Sequence, residues 1–108
     1  MRVTIDIDGN AFRCVRAFFW LKYLFEKVFI RRSAFRGWHI VAFTKIKDFS
    51  VILLVRRVLG DDVTRIEFDE ERLMKPKQVL WTCKDGRYAG EWWEDIERVF
   101  DFKVRICG

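Results

Sequence analysis

A chain of 108 residues with 51% hydrophobic content is long enough for one domain with one core, and needs neither disulfides nor a structural metal to hold it. Lys and Arg exceed Asp and Glu by 21 to 16, and the net charge of +5 favours polyanionic partners without the like-charge run of a basic tail. Cys14, Cys83 and Cys107 lie far apart with no C-x-x-C pair, which argues against a disulfide framework and a zinc site and suits a cytoplasmic protein.

The single Pro76 and scattered glycines leave nowhere to divide the chain, so residues 1–108 are expected to fold as one domain. The apolar run from Ala17 to Ile30 is interrupted by Lys22, Glu26 and Lys27. It falls short of the roughly 18 to 20 uncharged residues of a membrane span, so no membrane partner is expected. The N-terminus begins as a strand, so no signal peptide is expected either.

Residues 2 to 8 alternate as a strand, with Val3, Ile5 and Ile7 on one face and Asp6 and Asp8 on the other. After a turn at Gly9, Asn10 caps a helix expected to run to about Arg31, its core sector formed by Cys14, Ala17, Phe18, Leu21, Leu24, Phe25 and Val28. Phe12, Phe19, Trp20 and Tyr23 fall outside that sector, which calls for cover from another element or a partner. Gly37 to Phe43 reads as a second strand, and Asp48 caps a helix from Phe49 to Leu59 that Gly60 stops. Arg65 to Asp69 and Gln78 to Cys83 read as the third and fourth strands, with a turn at Asp85-Gly86. A helix over Ala89 to Phe100, with Glu91, Glu94 and Asp95 in its first turn, and a fifth strand over Phe102 to Ile106 complete the chain. The order β-α-β-α-β-β-α-β implies an α/β (α+β) fold: one mixed sheet, helices on one face, and the other face open for function.

Parity then decides which polar residues meet. Asp6 and Asp8, His39, and Asp69 each oppose the apolar side of their own strand, so one choice of face gathers three carboxylates and one imidazole. Two adjacent anions raise each other's pKa unless a cation neutralises them, and three acidic oxygen donors suit Mg²⁺ or Mn²⁺. His39 follows Arg31, Arg32, Ser33, Arg36 and Gly37, and guanidinium forks beside a glycine and an imidazole suit phosphate.

The succession Ile5-Asp6-Ile7-Asp8, Ser33-x-x-Arg36-Gly37-x-His39, Phe68-Asp69 and Lys84-Asp85-Gly86-Arg87 resembles the motif order of the archaeo-eukaryotic primase superfamily, the primase small subunit and its prim-pol relatives. The resemblance implies an RRM-like sheet and metal-dependent nucleotidyl transfer, which builds or extends primers from nucleoside triphosphates on a single-stranded nucleic-acid template. Other replication proteins are implied as partners. It implies that Asp6, Asp8 and Asp69 hold the catalytic Mg²⁺ or Mn²⁺, and that Ser33, Arg36, His39 and Lys84 hold the nucleotide's phosphates. The chain departs from the family at Ala34, where a glycine is usual, and over Val79-Leu80-Trp81-Thr82-Cys83, where an Arg-x-Pro-x-Ser-x-His stretch is common. It would be a minimal catalytic module, and the assignment requires His39 and Asp69 to share the exposed face with Asp6 and Asp8.

Two rivals stand beside it. Asp6-Ile7-Asp8-Gly9-Asn10 also resembles the first motif of haloacid dehalogenase-type phosphatases, with Asp6 as nucleophile, Asp8 as acid/base and Gly60-Asp61-Asp62 as the acidic motif. That family needs a larger parallel sheet. The other rival is a non-catalytic RRM-like module that binds nucleic acid or a partner chain, although bases usually stack on sheet-face aromatics where this reading places acids.

Overall fold

The computed structural model describes residues 2–34, 36–70, 80, 82–84 and 86–100, with the side chains of 68, 70 and 84 outside that description. Strand β1 (Arg2–Ile7) leads into helix α1 (Ala11–Leu24), then β2 (Lys27–Arg32), β3 (Trp38–Phe43), α2 (Phe49–Val58) and α3 (Val63–Glu70). A short ribbon of β4 (Cys83–Lys84) and β5 (Arg87–Tyr88) precedes one turn of helix, α4 (Glu97–Phe100).

The sheet order is β1-β3-β2, and both neighbouring pairs are antiparallel. Strands β1 and β2 therefore run the same way with β3 between them, joined through α1 as a split β-α-β unit. The α+β class holds, but the sheet is antiparallel where a mixed one is expected, because the strand that separates β1 from β2 runs against both. Val3, Ile5 and Ile7, Val28 and Ile30, and Trp38, Ile40 and Ala42 pack on Cys14, Ala17, Phe18 and Leu21 of α1 and Ile52 of α2 in one core. Helices α1 and α2 thus cover one face, while Arg65 of α3 reaches Thr4 on the other.

Both expected caps form: Asn10 Oδ1 accepts from the Arg13 amide at 3.2 Å, and Asp48 Oδ1 accepts from the Ser50 amide at 2.9 Å. Helix α2 ends before Gly60, whose φ of +86° a side chain would resist.

Three expected elements differ. The first helix stops at Leu24, because Phe25 turns extended and Lys27 to Arg32 pair with β3 over their whole length. Val28 fits the helical sector four residues after Leu24, but Val28 and Ile30, two apart, share a face only in a strand, and pairing with β3 fixes that choice. The third strand is instead α3: Asp62 Oδ1 accepts from the amides of Thr64 and Arg65, and Ile66 and Asp69, three apart, are both buried. The last helix shrinks to Glu97–Phe100, because the residues before it run beside β2, with Trp93 bridging Ile30 and the Gly90 amide donating to the Arg32 carbonyl. Of the fourth strand only Cys83 is extended among the described residues, and the fifth, with Pro76, Asp85 and Cys107, lies outside them.

Phe12, Phe19, Trp20 and Tyr23 all remain more than half exposed on α1, so no described element supplies the expected cover. Among the described residues no helix is long and apolar enough to cross a membrane.

Candidate functional site

Antiparallel pairing lines up residues across the face opposite α1 and α2 in rows: Arg2, Phe43 and Lys27; then Thr4, Val41 and Phe29; then Asp6, His39 and Arg31. The third row is polar. His39 Nε2 stands 3.7 Å from Asp6 Oδ1, and Arg31 Nε donates to His39 Nδ1 at 3.0 Å. Because Nδ1 accepts, the imidazole proton sits on Nε2 and faces Asp6. The Arg31 guanidinium lies over the Trp92 ring, 4.3 Å from its centroid. This face is less open than expected, since Thr4, Arg31 and His39 are buried.

Burial sets the electrostatics of the row. It pushes the Asp6 carboxyl up to about 6, helped by Asp61, Asp8 and Asp62 and opposed by Arg65. It pulls His39 down to about 4, with Arg31 and Arg65 adding to the effect. Arg31 is lowered by burial as well, against the favourable charge of Asp6. Asp6 and His39 therefore do not carry charge together, and their contact is a neutral imidazole facing a carboxylate.

The next row holds Asp8, exposed beyond the end of β1, and the β2–β3 hairpin loop. Ser33 N donates to the Gly37 carbonyl at 3.0 Å, closing the loop that carries the exposed Arg36. Gly37 has φ +116°, and a Cβ there would lie 2.0 Å from the Ile7 carbonyl oxygen and 3.0 Å from Asp8 Cα. The loop thus rests on the backbone that carries the acidic pair. A Gly37→Ala substitution is expected to cost about 2 kcal/mol through strained backbone and forced separation of loop and strand, read as a lower urea midpoint.

Asp69 does not join this cluster. From α3 it accepts from Arg56 Nη1 at 2.6 Å and is 5% exposed, while Arg56, fully buried, donates through Nε to Asp61 Oδ2 at 2.6 Å. Asp61 Oδ1 in turn accepts from the Asp6 amide at 2.7 Å and from Arg65, which also donates to Thr4 Oγ1 at 2.7 Å. The acid beside Asp6 is therefore Asp61, a backbone clamp held by arginines. The Lys84 side chain lies outside the described residues.

The sequence reading misses Arg56, Arg65 and Trp92 as site-forming residues, places Arg31 in a phosphate cradle rather than on His39, and gives Asp61 a role only in the dehalogenase reading. One signal was readable: Arg56 follows Ile52 by four and precedes Leu59 by three, an arginine on an apolar helix face that demands a buried acid.

Among the described residues no three His, Cys, Asp or Glu side chains form a metal-holding group. With Asp69 paired elsewhere and His39 carrying its proton toward Asp6, the expected donors that remain are Asp6 and Asp8. Two carboxylates suit a single Mg²⁺ or Mn²⁺ whose other positions go to phosphate oxygens and water, and do not suit a three-carboxylate cage.

Beside the polar row lies a groove of about 450 Å³ lined by Phe29, Val41 and Phe43 of the sheet and by Trp92, with Arg2 and Arg31 also in its wall. The antiparallel sheet supplies none of the parallel strands that the dehalogenase reading requires. No protein-family model matches the chain, and no curated protein and no solved structure matches it.

Proposed function

We propose that the corner between the acidic end of β1 and the β2–β3 hairpin binds the phosphates of a nucleoside triphosphate with one Mg²⁺ or Mn²⁺, and serves nucleotidyl transfer of the primase-polymerase type in a form that dispenses with the Asp69 carboxylate. The observation that carries this reading is convergence. Gly37 of the hairpin rests against Ile7 and Asp8, and His39 stands 3.7 Å from Asp6. When bound, the ion would neutralise phosphate and carboxylate charge. Asp6 and Asp8 would orient it, and the His39 Nε2 proton, held in place by Arg31, is a donor toward the same corner. Ser33 and Arg36, on the loop above Asp8, supply a hydroxyl and a planar fork for phosphate oxygens.

A second reading, nucleotide or nucleic-acid binding without turnover, is favoured by Asp69. Its pairing with Arg56 removes the third carboxylate that the catalytic form of the resemblance requires.

One experiment separates the readings. The protein is incubated with labelled nucleoside triphosphates, a single-stranded template and either ion, and compared with Asp6→Ala and Asp8→Ala. Incorporation that falls to background in both variants supports transfer at this corner. Metal-dependent nucleotide binding without incorporation supports the second reading, and incorporation unchanged in both variants removes the corner from the reaction.

A further inference from the structure

The groove beside the polar row is a second compartment with its own chemistry. Its floor is Phe29, Val41 and Phe43, with the rings of Phe29 and Phe43 edge to face at 6.1 Å. Trp92, whose ring carries the Arg31 guanidinium, stands in the wall with Leu80, Thr82 and Arg2. Phe43 is 51% and Trp92 38% exposed, so an incoming ring reaches both. A volume of about 450 Å³ lies within the roughly 300–1,000 Å³ of small-molecule sites.

Its position names the occupant. Successive rows on one face of a strand are two residues apart, roughly 6.5 Å, so the Val41–Phe29 row and the Asp8–Gly37 corner are separated by roughly 13 Å. Between them lies the Asp6–His39–Arg31 row. A ligand that fills the groove and reaches the corner therefore has a flat apolar end, a polar middle and an anionic tail. Arg31 is placed at the junction, lining the groove while bonded to the histidine that faces Asp6.

We infer that the Phe29–Phe43–Trp92 groove is the base-binding pocket of a nucleoside triphosphate whose phosphates extend along the sheet to the Asp6–Asp8 corner. The pocket rests on the phosphate reading of that corner for its occupant. Stacking on aromatic walls holds any base by its face, so the pocket favours the presence of a base over its identity, with Thr82 and Arg2 as further polar side chains in its lining.

Backbone amide resonances of the isotope-labelled protein test both compartments separately. Uncharged adenosine is expected to shift Phe29, Val41 and Phe43 and leave Asp8 and Gly37 in place. Inorganic triphosphate with Mg²⁺ is expected to do the reverse, and ATP with Mg²⁺ to shift both sets. Phe43→Ala is expected to weaken ATP about tenfold while leaving inorganic triphosphate unchanged. Adenosine that leaves the groove resonances unmoved, or Phe43→Ala weakening both ligands equally, overturns the pocket even if the corner still binds triphosphate. Groove shifts with adenosine and no corner shift with triphosphate keep the groove as a base site and overturn the phosphate reading.

Discussion

Replacing Arg56 with methionine is expected to lower the unfolding free energy by about 3–5 kcal/mol, among the largest effects available to one substitution in this chain. The arginine is fully buried and reaches Asp61 with Nε and Asp69 with Nη1, both at 2.6 Å. Methionine fills similar space but leaves two carboxylates inside the protein with one fewer cation. Asp61 keeps Arg65, and Asp69, 5% exposed, loses its charged bond to Arg56 without gaining access to water. The damage spreads to the site, because the same Asp61 carboxylate holds the Asp6 amide and so fixes the free edge of β1.

The companion substitution separates structure from catalysis. Asp69→Asn keeps an acceptor but removes the charge facing Arg56, and is expected to cost about 2 kcal/mol. An aspartate belonging to an acidic metal cluster behaves the other way, since its neutralisation relieves repulsion and leaves the fold unchanged or firmer. Guanidinium unfolding of both variants gives the answer. A loss below about 1 kcal/mol for Arg56→Met would mean the buried triad is not a structural clamp.

What the residues disclosed in advance follows from the range over which each signal acts. Strand parity is local and strong, so it places Asp6 and His39 together on the face opposite α1 and α2, and the capping signals of Asn10 and Asp48 are equally local. Residues 27–32 are ambiguous because Val28 continues the helical sector of Leu24 and Phe25 while Val28 and Ile30 together fit a strand face, and the choice lies with β3, which comes later in the chain. Arg65 to Asp69 misled for a related reason. Alternation over five residues with two apolar side chains is a weak strand signal, and the Asp62 cap outweighs it by satisfying the amides of Thr64 and Arg65. The loss of Asp69 from the site follows, since a buried pair with Arg56, thirteen residues away, leaves no spacing signature. The aromatic groove was invisible while Phe29 was assigned to a helix.

Asp6→Asn is expected to uncover a pH dependence that the natural chain conceals. Asp6 is raised from 3.8 to about 6, so the folded state holds a proton that the unfolded state has released. Its contribution to stability is full at low pH and is lost as pH rises through about 6. His39 is lowered from 6.5 to about 4, so the unfolded state takes the proton first. Its contribution is full above 6.5 and is lost as pH falls toward 4. Over the shared window from about 4 to about 6 each state binds one proton on this pair, on the aspartate when folded and on the histidine when unfolded, and the two slopes cancel. Removing the Asp6 titration leaves the histidine alone. Because burial, Arg31 and Arg65 rather than Asp6 hold His39 low, that leg persists in the variant. Urea unfolding at several pH values should then show Asp6→Asn losing about 2–3 kcal/mol more than the wild type between pH 6.5 and 4, and His39→Asn changing in the opposite sense. Parallel curves for the three proteins would exclude a shared proton at this row. The same titration bears on ligand binding, since below about pH 6 the Asp6 carboxylate must release a proton before it can hold a cation, whereas an adenosine molecule in the groove makes no such demand.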